Sequence, residues 1–588
     1  MKKFLIYLAV ILVAVSLGFT VFYLTRNNEK IYISTSSVYM REGDEIDDLS
    51  IVWENKKAFS EYEVLSSNEG IAKYDKETGK LKAVSGGIAT ITFRTSSVKF
   101  RNLSCQVYVG DGSLTNPFYI TNAEQLRQIG AYTLEGEDKV IEYGLDKCYK
   151  LVSNIDLLDG YNNTGFWIPI GTGNENGFTG SFDGNGYTIS NASVDREELI
   201  KELAKLENVE PNISNYNTFT NAGLFSVIGV NGRVCNLKVD NIIIHGAYND
   251  GYVGAVAGKN FGTIERTEVL NGHIDVRGSY AIGGITALNE ATDAVVEEEY
   301  SRYTARIDRC GANVTMGITK AETSEDIIIN GVKGKIGGVT GVNHGGIVIY
   351  SYAMGDVYLN VTPEAEIVYG GLVGSNNVKT YATNDSKYMY NYTGAHIKDS
   401  YSAIELKNGK EAKGKVTIGG VIGVNTDIPA LDLDSNGIDI DKDKVGSANK
   451  IVGNYYNSEL LNPVVVAPAA EIEPTEPTTP EEGEETPDQG ENPDTPETPE
   501  EPTEPTVTGF VGMGKNVLDG KDVDTKDKEY VIMGKTTNEL KLSKTYLSHI
   551  NTERIWNEDT AEYITKDTTI PWKLEVVWFI KENINNGY

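Results

Sequence analysis

The chain has 588 residues, more than one typical domain needs, and a formal net charge of −31 at pH 7. Such an acidic chain without a basic segment argues against nucleic-acid binding. The 61 glycines and 34 tyrosines, beside only 5 histidines, are typical of a β protein with glycine at its corners. The four cysteines, Cys105, Cys148, Cys235 and Cys310, form neither a CxxC pair nor a zinc-ligand pattern.

Residues 1–28 have the pattern of a membrane anchor. An uncharged stretch from Phe4 to Leu24 follows two lysines, and as a helix it is long enough to cross a hydrocarbon core of ~30 Å. The stretch stays apolar beyond Ala14–Ser16, the best match to a cleavage site, which favours a retained transmembrane helix over a cleaved signal peptide. The basic flank predicts that the rest of the chain lies outside the cell.

Residues 29–112 alternate short apolar strands with polar turns, which predicts a small β-sandwich. The expected strands are Ile31–Ser34, Glu61–Leu65, Lys80–Val84, Ala89–Phe93 and Cys105–Val109. Two stretches, Ser66–Ala72 and Gly79–Thr92, also resemble the bacterial group 2 Ig-like domain (Big2). That resemblance implies a stalk that holds the next domain away from the cell envelope.

A glycine-rich motif recurs within residues 113–466. The copies are Val253–Asn260, Ile282–Asn289, Ile336–Asn343, Tyr369–Asn376 and Ile418–Asn425, with a weaker one at Asn221–Ser226. Each copy alternates small and apolar residues with the period of a strand, and a second short strand follows it. Because so short a unit cannot bury its apolar side chains alone, the copies predict a stacked solenoid.

We expect this solenoid to be a right-handed parallel β-helix, which makes the chain all-β apart from its anchor. A propeller needs about four strands in ~40–50 residues, more than the interval from Asn260 to Asn289 can hold. The asparagine that closes each copy predicts an internal ladder of amides, each bonded to its counterpart one coil away. A second column of small or polar residues is expected at Thr267, Cys310, Ser351, Ser400 and Asn454.

The repeats resemble the GLUG motif of bacterial surface proteins. Gly370–Asn376 matches the first half of that motif, and Ser351–Ala353 and Ser400–Ala403 match the Ser-Tyr-Ala element that follows it. The resemblance covers roughly residues 115–466. It implies a fold but no particular reaction, because the family is defined by its repeat.

Two short helices are expected beside the repeats. Thr121 and Glu124 form a capping box for the first, which would cover the open end of the first coil. The second, Arg196–Glu207, is expected to lie on the flank of a coil. Its apolar residues at helical spacing are Leu199, Ile200, Leu203 and Leu206.

Asp156 and Asp183 could be read as a pair of catalytic carboxylates. They lie in segments that resemble the stretch leading into GLUG arrays, where such residues stand at structural turns. Asp183–Gly186 also has strong turn chemistry, so we favour the structural interpretation.

Insertions between the repeats are where we expect binding, because loops on a rigid solenoid usually carry function. The main insertions are Glu290–Tyr303, Lys379–Tyr392 and Thr426–Lys450. The second carries Tyr381, Tyr388, Tyr390 and Tyr392, a cluster suited to a carbohydrate or protein ligand. The alternative is that these tyrosines pack the loop onto its own coil.

The third insertion has the spacing of a Ca²⁺-binding loop. Its oxygen ligands would be Asp432, Asp434, Asn436, Asp439 and Asp443. Asp443 stands where a glutamate is usual, and Asp439 stands where an apolar residue is usual. A weak extracellular Ca²⁺ site and an acidic solvated loop are therefore both open, and no other cofactor is indicated.

Residues 467–508 have the composition of a disordered, extended spacer, with ten prolines and 14 acidic residues but no lysine or arginine. The residues after it, 509–588, resemble the end of GLUG proteins, where a helix such as Leu540–Ile550 and a strand such as Ile570–Leu574 close the last coil. We therefore favour a spacer inserted in the final coil over a linker between domains.

Two functions remain. The first is a membrane-anchored extracellular surface protein, similar to an adhesin, that binds a host glycan, matrix or another cell and contacts the membrane through Phe4–Leu24. The second is a polysaccharide-active lyase or hydrolase, because the β-helix also hosts such enzymes. The sequence assigns no catalytic residue, and no histidine stands in an H-E-x-x-H motif.

Overall fold

The computed structural model describes the sandwich region, the repeats and several short strands near the carboxyl terminus. The described residues are 31–33, 35–47, 51–53, 62–95, 103–130, 143–159, 164–173, 175–206, 220–248, 250–277, 279–296, 299–317, 333–359, 366–381, 392–407, 415–427, 429–430, 446–457, 507–508, 513–518, 521–523, 532–535, 553–557 and 562–566. The anchor predicted at Phe4–Leu24 lies outside them. Among the residues just given, no helix is both long and apolar enough to cross a bilayer.

The chain forms two compact units. The first consists of Met1–Ala131, Lys139–Ile155 and Thr179–Thr188, and the second consists of Tyr132–Asp138, Asp156–Phe178 and Ile189–Tyr588.

The first unit contains two packed sheets. One has the strand order Ser37–Arg41, Leu103–Gly110, Gly87–Thr95 and Tyr62–Ser66, and the other has the order Glu45–Asp47, Lys80–Ala83 and Ala72–Tyr74. A separate antiparallel pair joins Ile31–Ile33 to Ile51–Trp53. Alternate residues of both sheets, among them Leu81, Ile91 and Val107, meet in one buried core. The five predicted strands agree with the structure to within two residues at either end.

The first unit also holds three parallel strands and a short helix. The strands are Phe118–Ile120, Cys148–Leu151 and Ser181–Asp183. Helix α1, Ala123–Arg127, is capped by Asn122, whose side chain accepts a hydrogen bond from the Gln125 N–H. The predicted capping box of Thr121 and Glu124 is therefore wrong by one residue, because Thr121 instead bonds the side chain of Gln125.

The second unit is a β-helix whose strands stack in parallel in four sheets, S1 to S4, in the order in which each coil visits them. S1 contains Asn221–Ala222, Tyr252–Gly254, Ala281–Gly283, Lys333–Gly337, Glu366–Gly370, Lys415–Gly419 and Val507–Thr508, and these seven strands define coils I to VII. S2 contains Phe225–Ile228, Ala257–Asn260, Thr286–Glu290, Thr340–His344, Val373–Asn377, Ile422–Asp427 and Met513–Leu518, with Lys521–Val523 added antiparallel.

S3 and S4 complete each coil. S3 contains Arg233–Cys235, Thr263–Glu265, Arg306–Asp308, Ile347–Ile349, His396–Lys398 and Lys450–Val452. S4 contains Lys238–Asp240, Glu268–Arg277, Gly311–Met316, Tyr352–Tyr358, Tyr401–Lys407, Asn454–Asn457 and Ile532–Lys535. Ile243–Ala247 also pairs with Glu268–Arg277, and Ser193–Asp195 pairs with Ile243–Ala247. A further antiparallel pair joins Glu553–Asn557 to Glu562–Lys566. The prediction of stacked parallel coils is confirmed, and the right-handed sense stays a prediction.

Identical interior positions stack in columns through the coils. In S3 the column is Val234, Ile264, Ile307, Val348, Ile397 and Ile451, all fully buried. Burying one such side chain stabilises the folded state by about 1.5–3 kcal/mol. Because these side chains are buried against adjacent coils, a coil gains most of its stability from its neighbours.

The S1/S2 corner is a glycine turn with no room for a side chain. A Cβ atom on Gly337 would lie 1.9 Å from the Thr340 carbonyl oxygen, and one on Gly338 would lie 2.2 Å from the Gly371 carbonyl oxygen of the next coil. Neither glycine has a positive φ. Glycine is therefore required here because backbones approach closely, not because of its conformational freedom.

The S3/S4 corner places one residue per coil in the left-handed region. The residues are Asn236, Arg266, Arg309, Tyr350, Asp399 and Gly453, with φ between 45° and 69°. The N–H of each non-glycine member bonds a carbonyl oxygen of the next coil, as from Tyr350 to Lys398 at 3.1 Å. These bonds hold arginine and tyrosine in a conformation that usually costs about 1 kcal/mol or more.

The predicted column of small polar residues follows this corner and is confirmed. The hydroxyl of Ser351 accepts from the Cys310 N–H at 3.2 Å, and the hydroxyl of Ser400 accepts from the Ser351 N–H at 3.1 Å. Cys310 is fully buried, as expected, and burial raises the pKa of its thiol to about 12. The four cysteines are all free thiols in this structure.

The S2/S3 corner carries the predicted asparagine ladder, which is also confirmed. Each side-chain amide donates from Nδ2 to the Oδ1 atom of the asparagine one coil further on, at a distance of 2.8 Å. The series runs through Asn260, Asn289, Asn343, Asn376 and Asn425. All five side chains are fully buried. Asn343 also donates to the Gly346 carbonyl oxygen at 3.0 Å, where the chain turns into S3.

Helix α2, Arg196–Leu206, lies against S4 as its amphipathic pattern predicted. Leu199, Ile200 and Leu203 are buried and pack with Phe166 and Ile168. The helix contacts the strands Ser193–Asp195 and Ile243–Ala247.

Candidate functional site

Three insertions leave the β-helix at the same corner, between S2 and S3. Each begins and ends in an antiparallel two-stranded ribbon, on coils III, V and VI. The ribbons pair Thr292–Val296 with Glu299–Tyr303, Lys379–Thr380 with Tyr392–Thr393, and Pro429–Ala430 with Gly446–Ser447. We call this side of the β-helix the insertion edge.

The insertion edge presents both binding segments that the sequence singled out. Tyr388 and Tyr390 lie outside the described residues, between the strands of the coil V ribbon. Tyr381 and Tyr392 stand at the base of that ribbon, where Tyr381 is 7% exposed and its hydroxyl lies 3.0 Å from the Thr393 hydroxyl. Tyr381 is therefore packed at the base of the ribbon, as the alternative interpretation of the cluster expects.

The Ca²⁺-loop residues belong to the ribbon of coil VI. Asp432, Asp434, Asn436, Asp439 and Asp443 all lie outside the described residues, between Pro429–Ala430 and Gly446–Ser447. The base of the ribbon is fixed by Asn449, whose N–H donates to the Asp427 carboxylate at 3.0 Å and whose amide donates to Asn425 at 2.9 Å. The described residues on either side of the ribbon are thus joined to each other and to the asparagine ladder.

Coil IV has no insertion at this corner and lies between coils that do. A Cβ atom on Gly345 would lie 2.6 Å from Lys379 Cβ and 3.2 Å from Ala291 Cβ. Glycine is therefore needed where the bases of the coil III and coil V ribbons close over coil IV.

A charged cluster joins these two ribbon bases. The Glu290 carboxylate bonds the Lys379 ammonium group and lies 3.2 Å from His344 Nδ1. Burial raises the pKa of Glu290, but the hydrogen bonds from His344 and Lys379 outweigh it and hold the pKa below its ordinary value. Glu290 is thus a charged clamp between coils III, IV and V, a role that its sequence context did not reveal.

The outer face of S4 brings together carboxylates that the sequence could not pair. Asp356 and Glu405 occupy matching positions on adjacent strands, and Lys407 Nζ lies 4.0 Å from Asp356 Oδ1 while also pairing with Glu405. Burial raises the pKa of Asp356, against the lowering effect of Lys407. Two neighbouring carboxylates on one solenoid face are a candidate acid–base pair.

Asp156 and Asp183 behave as turn residues. The Asp183 carboxylate accepts from the Asn185 N–H at 2.9 Å, and the Asp156 carboxylate accepts from the Leu158 N–H at 3.0 Å. These bonds within the loops are what the turn interpretation expects. Asp156 also accepts from the Asn191 amide at 2.8 Å, and Asp183 lies 3.5 Å from Lys150 Nζ.

Residues 467–506 of the proline- and acid-rich segment 467–508 lie outside the described residues, and the strands around them can be placed. Asn454–Asn457 precedes them in S4. The last two residues of the predicted segment, Val507–Thr508, form a strand of S1 paired with Val416–Thr417, so the predicted segment is two residues too long. The segment therefore leaves the β-helix at the S4/S1 corner.

Comparison with known proteins gives short matches. Halomucin of Haloquadratum walsbyi is 31% identical over 183 residues, which is 30% of this chain and 2% of halomucin. A protein of Evansella cellulosilytica named "Putative Gly-rich membrane protein" is 34% identical over 164 residues, 27% of this chain and 15% of that protein. The matched part is thus a small fraction of either relative. No family model matches the chain.

Proposed function

We propose that this chain is a membrane-anchored extracellular protein that binds a glycan, a matrix protein or a neighbouring cell through its insertion edge. The observation that carries the proposal is the alignment of three ribbons at one corner of successive coils. Loops that leave a rigid scaffold on one side can form one continuous binding surface.

The organisation of the chain supports display outside the cell. Phe4–Leu24 would anchor the chain, and the two-sheet unit, which resembles a group 2 Ig-like domain, would serve as the stalk. The GLUG resemblance of the repeats and the name of one relative, which includes the words membrane protein, agree with a surface location. The net charge of −31 keeps such a protein soluble and disfavours nucleic-acid partners.

A binding array tests the proposal. The labelled full chain, in detergent micelles, would be applied to immobilised neutral glycans, acidic glycans, collagen and fibronectin. We expect retention on at least one of these classes, and a loss of tenfold or more when residues 382–391 are deleted with both ribbon strands kept. Deletion of 409–413, at the S4/S1 corner, is the matched control and should change nothing. Equal losses in both deletions would contradict the proposal.

The Ca²⁺ hypothesis is tested separately by calorimetry on the full chain. Millimolar CaCl₂ should release or absorb heat at one weak site, and Asp432→Asn combined with Asp434→Asn should remove that signal. An unchanged signal in the double variant would assign the heat to other carboxylates.

A polysaccharide-active enzyme is the second candidate, favoured by the Asp356–Glu405 pair. Adjacent parallel strands lie ~4.8 Å apart, close to the ~5–5.5 Å between the carboxyl groups of retaining glycosidases. Release of new reducing ends from a glycan panel would support this activity. Asp356→Asn and Glu405→Gln should each abolish it, while Asp275→Asn, also on S4, should not.

A further inference from the structure

Two lysines on S1 and S2 rest on tyrosine rings. Lys259 Nζ lies 4.4 Å from the centre of the Tyr252 ring, and Lys335 Nζ lies 3.8 Å from the centre of the Tyr280 ring. The two rings are 5.5 Å apart. These four residues come from coils II to IV and form what we call the lysine–tyrosine patch.

The patch is built on a fixed apolar base. Ala281, Ala287, Leu288 and Val342 are buried in one cluster, and both tyrosine rings pack against it. The four patch residues themselves are half-buried, so their outer atoms meet solvent. Burial raises the pKa of Tyr252 to about 12 and lowers the pKa of Lys259. The phenol therefore stays protonated at neutral pH, able to donate a hydrogen bond.

The charge of the patch is unusual for this chain, which has 84 acidic and 53 basic residues. In the part of the chain that the structure describes, neither Lys259 nor Lys335 has a carboxylate within 4.0 Å. Glu290, which influences Lys259 electrostatically, is already bonded to Lys379 and His344. By contrast, Lys80 and Lys407 are each paired with carboxylates. An anion can therefore reach the patch lysines without displacing an internal ion pair.

We propose that the lysine–tyrosine patch binds an anionic polysaccharide carrying uronate or sulfate groups. The two ammonium groups, held in place over the rings, would pair with the acidic groups, and the phenols would donate to sugar hydroxyls. The tyrosine edges and the apolar base would cover the C–H surface of the sugar. An acidic peptide offers the charge without the hydroxyl groups, so the combination favours a sugar chain.

Titration of the full chain with polygalacturonate and with heparin tests the proposal, with neutral dextran and poly-glutamate as comparison polymers. We expect binding to the acidic polysaccharides that weakens as NaCl is raised, and little binding to dextran. The double variant Lys259→Gln/Lys335→Gln should lose at least tenfold in affinity. Tyr252→Phe, which keeps the ring and removes the hydroxyl, should lose about threefold, or ~0.6 kcal/mol.

A matched control removes the same charge elsewhere. Lys238→Gln/Lys450→Gln, at exposed positions of S4 and S3, should bind as the natural chain does. Absence of binding by the natural chain, equal losses in both double variants, or tighter binding of poly-glutamate than of polygalacturonate would overturn the proposal. The patch variants leave residues 382–391 intact, so the array signal of the insertion edge should persist, and the two proposals can fail independently.

Discussion

Two corners of the β-helix turn the chain from one sheet into the next by different means. At the S1/S2 corner, glycines let backbones approach to distances that no side chain permits, and within the described coils no insertion occurs there. At the S2/S3 corner, a buried asparagine bonds its neighbours and the backbone that turns into S3, and the ladder steps vary from 29 to 54 residues. A corner held by side-chain bonds tolerates extra chain, whereas a corner defined by close backbone contact does not.

Inserting the same loop at each corner of coil II should give the largest effect. Six residues of Gly-Ser placed after Phe261, outside the Asn260 ladder contact, should cost about 1 kcal/mol, because loop closure depends weakly on length. The same six residues placed after Gly254 should remove about 5 kcal/mol or more, which is most of the stability of a typical domain. Urea denaturation followed by circular dichroism measures both. Similar losses would mean that the two corners do not differ.

Removing one ladder member should be the next largest effect. Asn343→Leu leaves the Asn289 amide with only a long bond to the Ile347 carbonyl oxygen, at 3.4 Å. It also leaves the side-chain carbonyl of Asn376 without its donor, and both asparagines are fully buried. Each orphaned group costs about 1–3 kcal/mol, so we expect a loss of about 4 kcal/mol in unfolding free energy. Asn313→Leu, at a half-buried strand position of S4, is the control and should change stability by less than about 0.5 kcal/mol. A loss below about 1 kcal/mol for Asn343→Leu would show that water replaces the amide.

The glycine turn can be tested by adding one methyl group. In Gly370→Ala the new Cβ atom would lie 1.9 Å from the Val373 carbonyl oxygen, so the turn must open, at a cost of about 3 kcal/mol. Gly186→Ala provides the contrast, because Gly186 has a φ of +81° but nothing within 4 Å. Its cost should be about 1 kcal/mol, from backbone conformation alone. The opposite ranking in thermal unfolding would refute the close-approach explanation.

The Glu290 clamp should give the smallest effect, and one that depends on pH. Because the pKa of Glu290 in the folded chain lies below its ordinary value of 4.5, its stabilisation is complete above that pH and is lost as pH falls through the folded pKa. Glu290→Gln should therefore cost about 1 kcal/mol near pH 7, and the cost should shrink as pH falls below 4.5 and through the folded pKa. Glu197→Gln, at an exposed position of α2, serves as the control. A difference that grows on acidification would contradict the clamp.

The repeat sequences predicted the structure of one corner but not of another, for physical reasons. The asparagine of each copy predicted its own ladder, because a buried amide at a repeated position needs a partner one coil away. The left-handed position after S3 gave no such sign, since Arg266, Arg309 and Tyr350 are residues that rarely adopt it. Their conformation is imposed by bonds to the next coil, which local sequence does not contain.

The candidate site shows the same limit. The sequence located the tyrosine and aspartate insertions, but it did not show that they share one edge, because that depends on how ladder steps of different lengths come into register. It also missed the lysine–tyrosine patch, because the members of the patch lie on three coils and come together only when those coils stack. The cap at Asn122 was misplaced because Thr121 and Asn122 are both good capping residues.

The asparagine ladder has a consequence for how such a gene can change. The shortest step, from Asn260 to Asn289, spans 29 residues and contains one strand from each of the four sheets. Unequal recombination between the gene segments for two coils would delete or duplicate one whole coil. Each remaining asparagine amide would still bond to an asparagine of the adjacent coil. A coil can thus be gained or lost by recombination while the encoded protein remains folded.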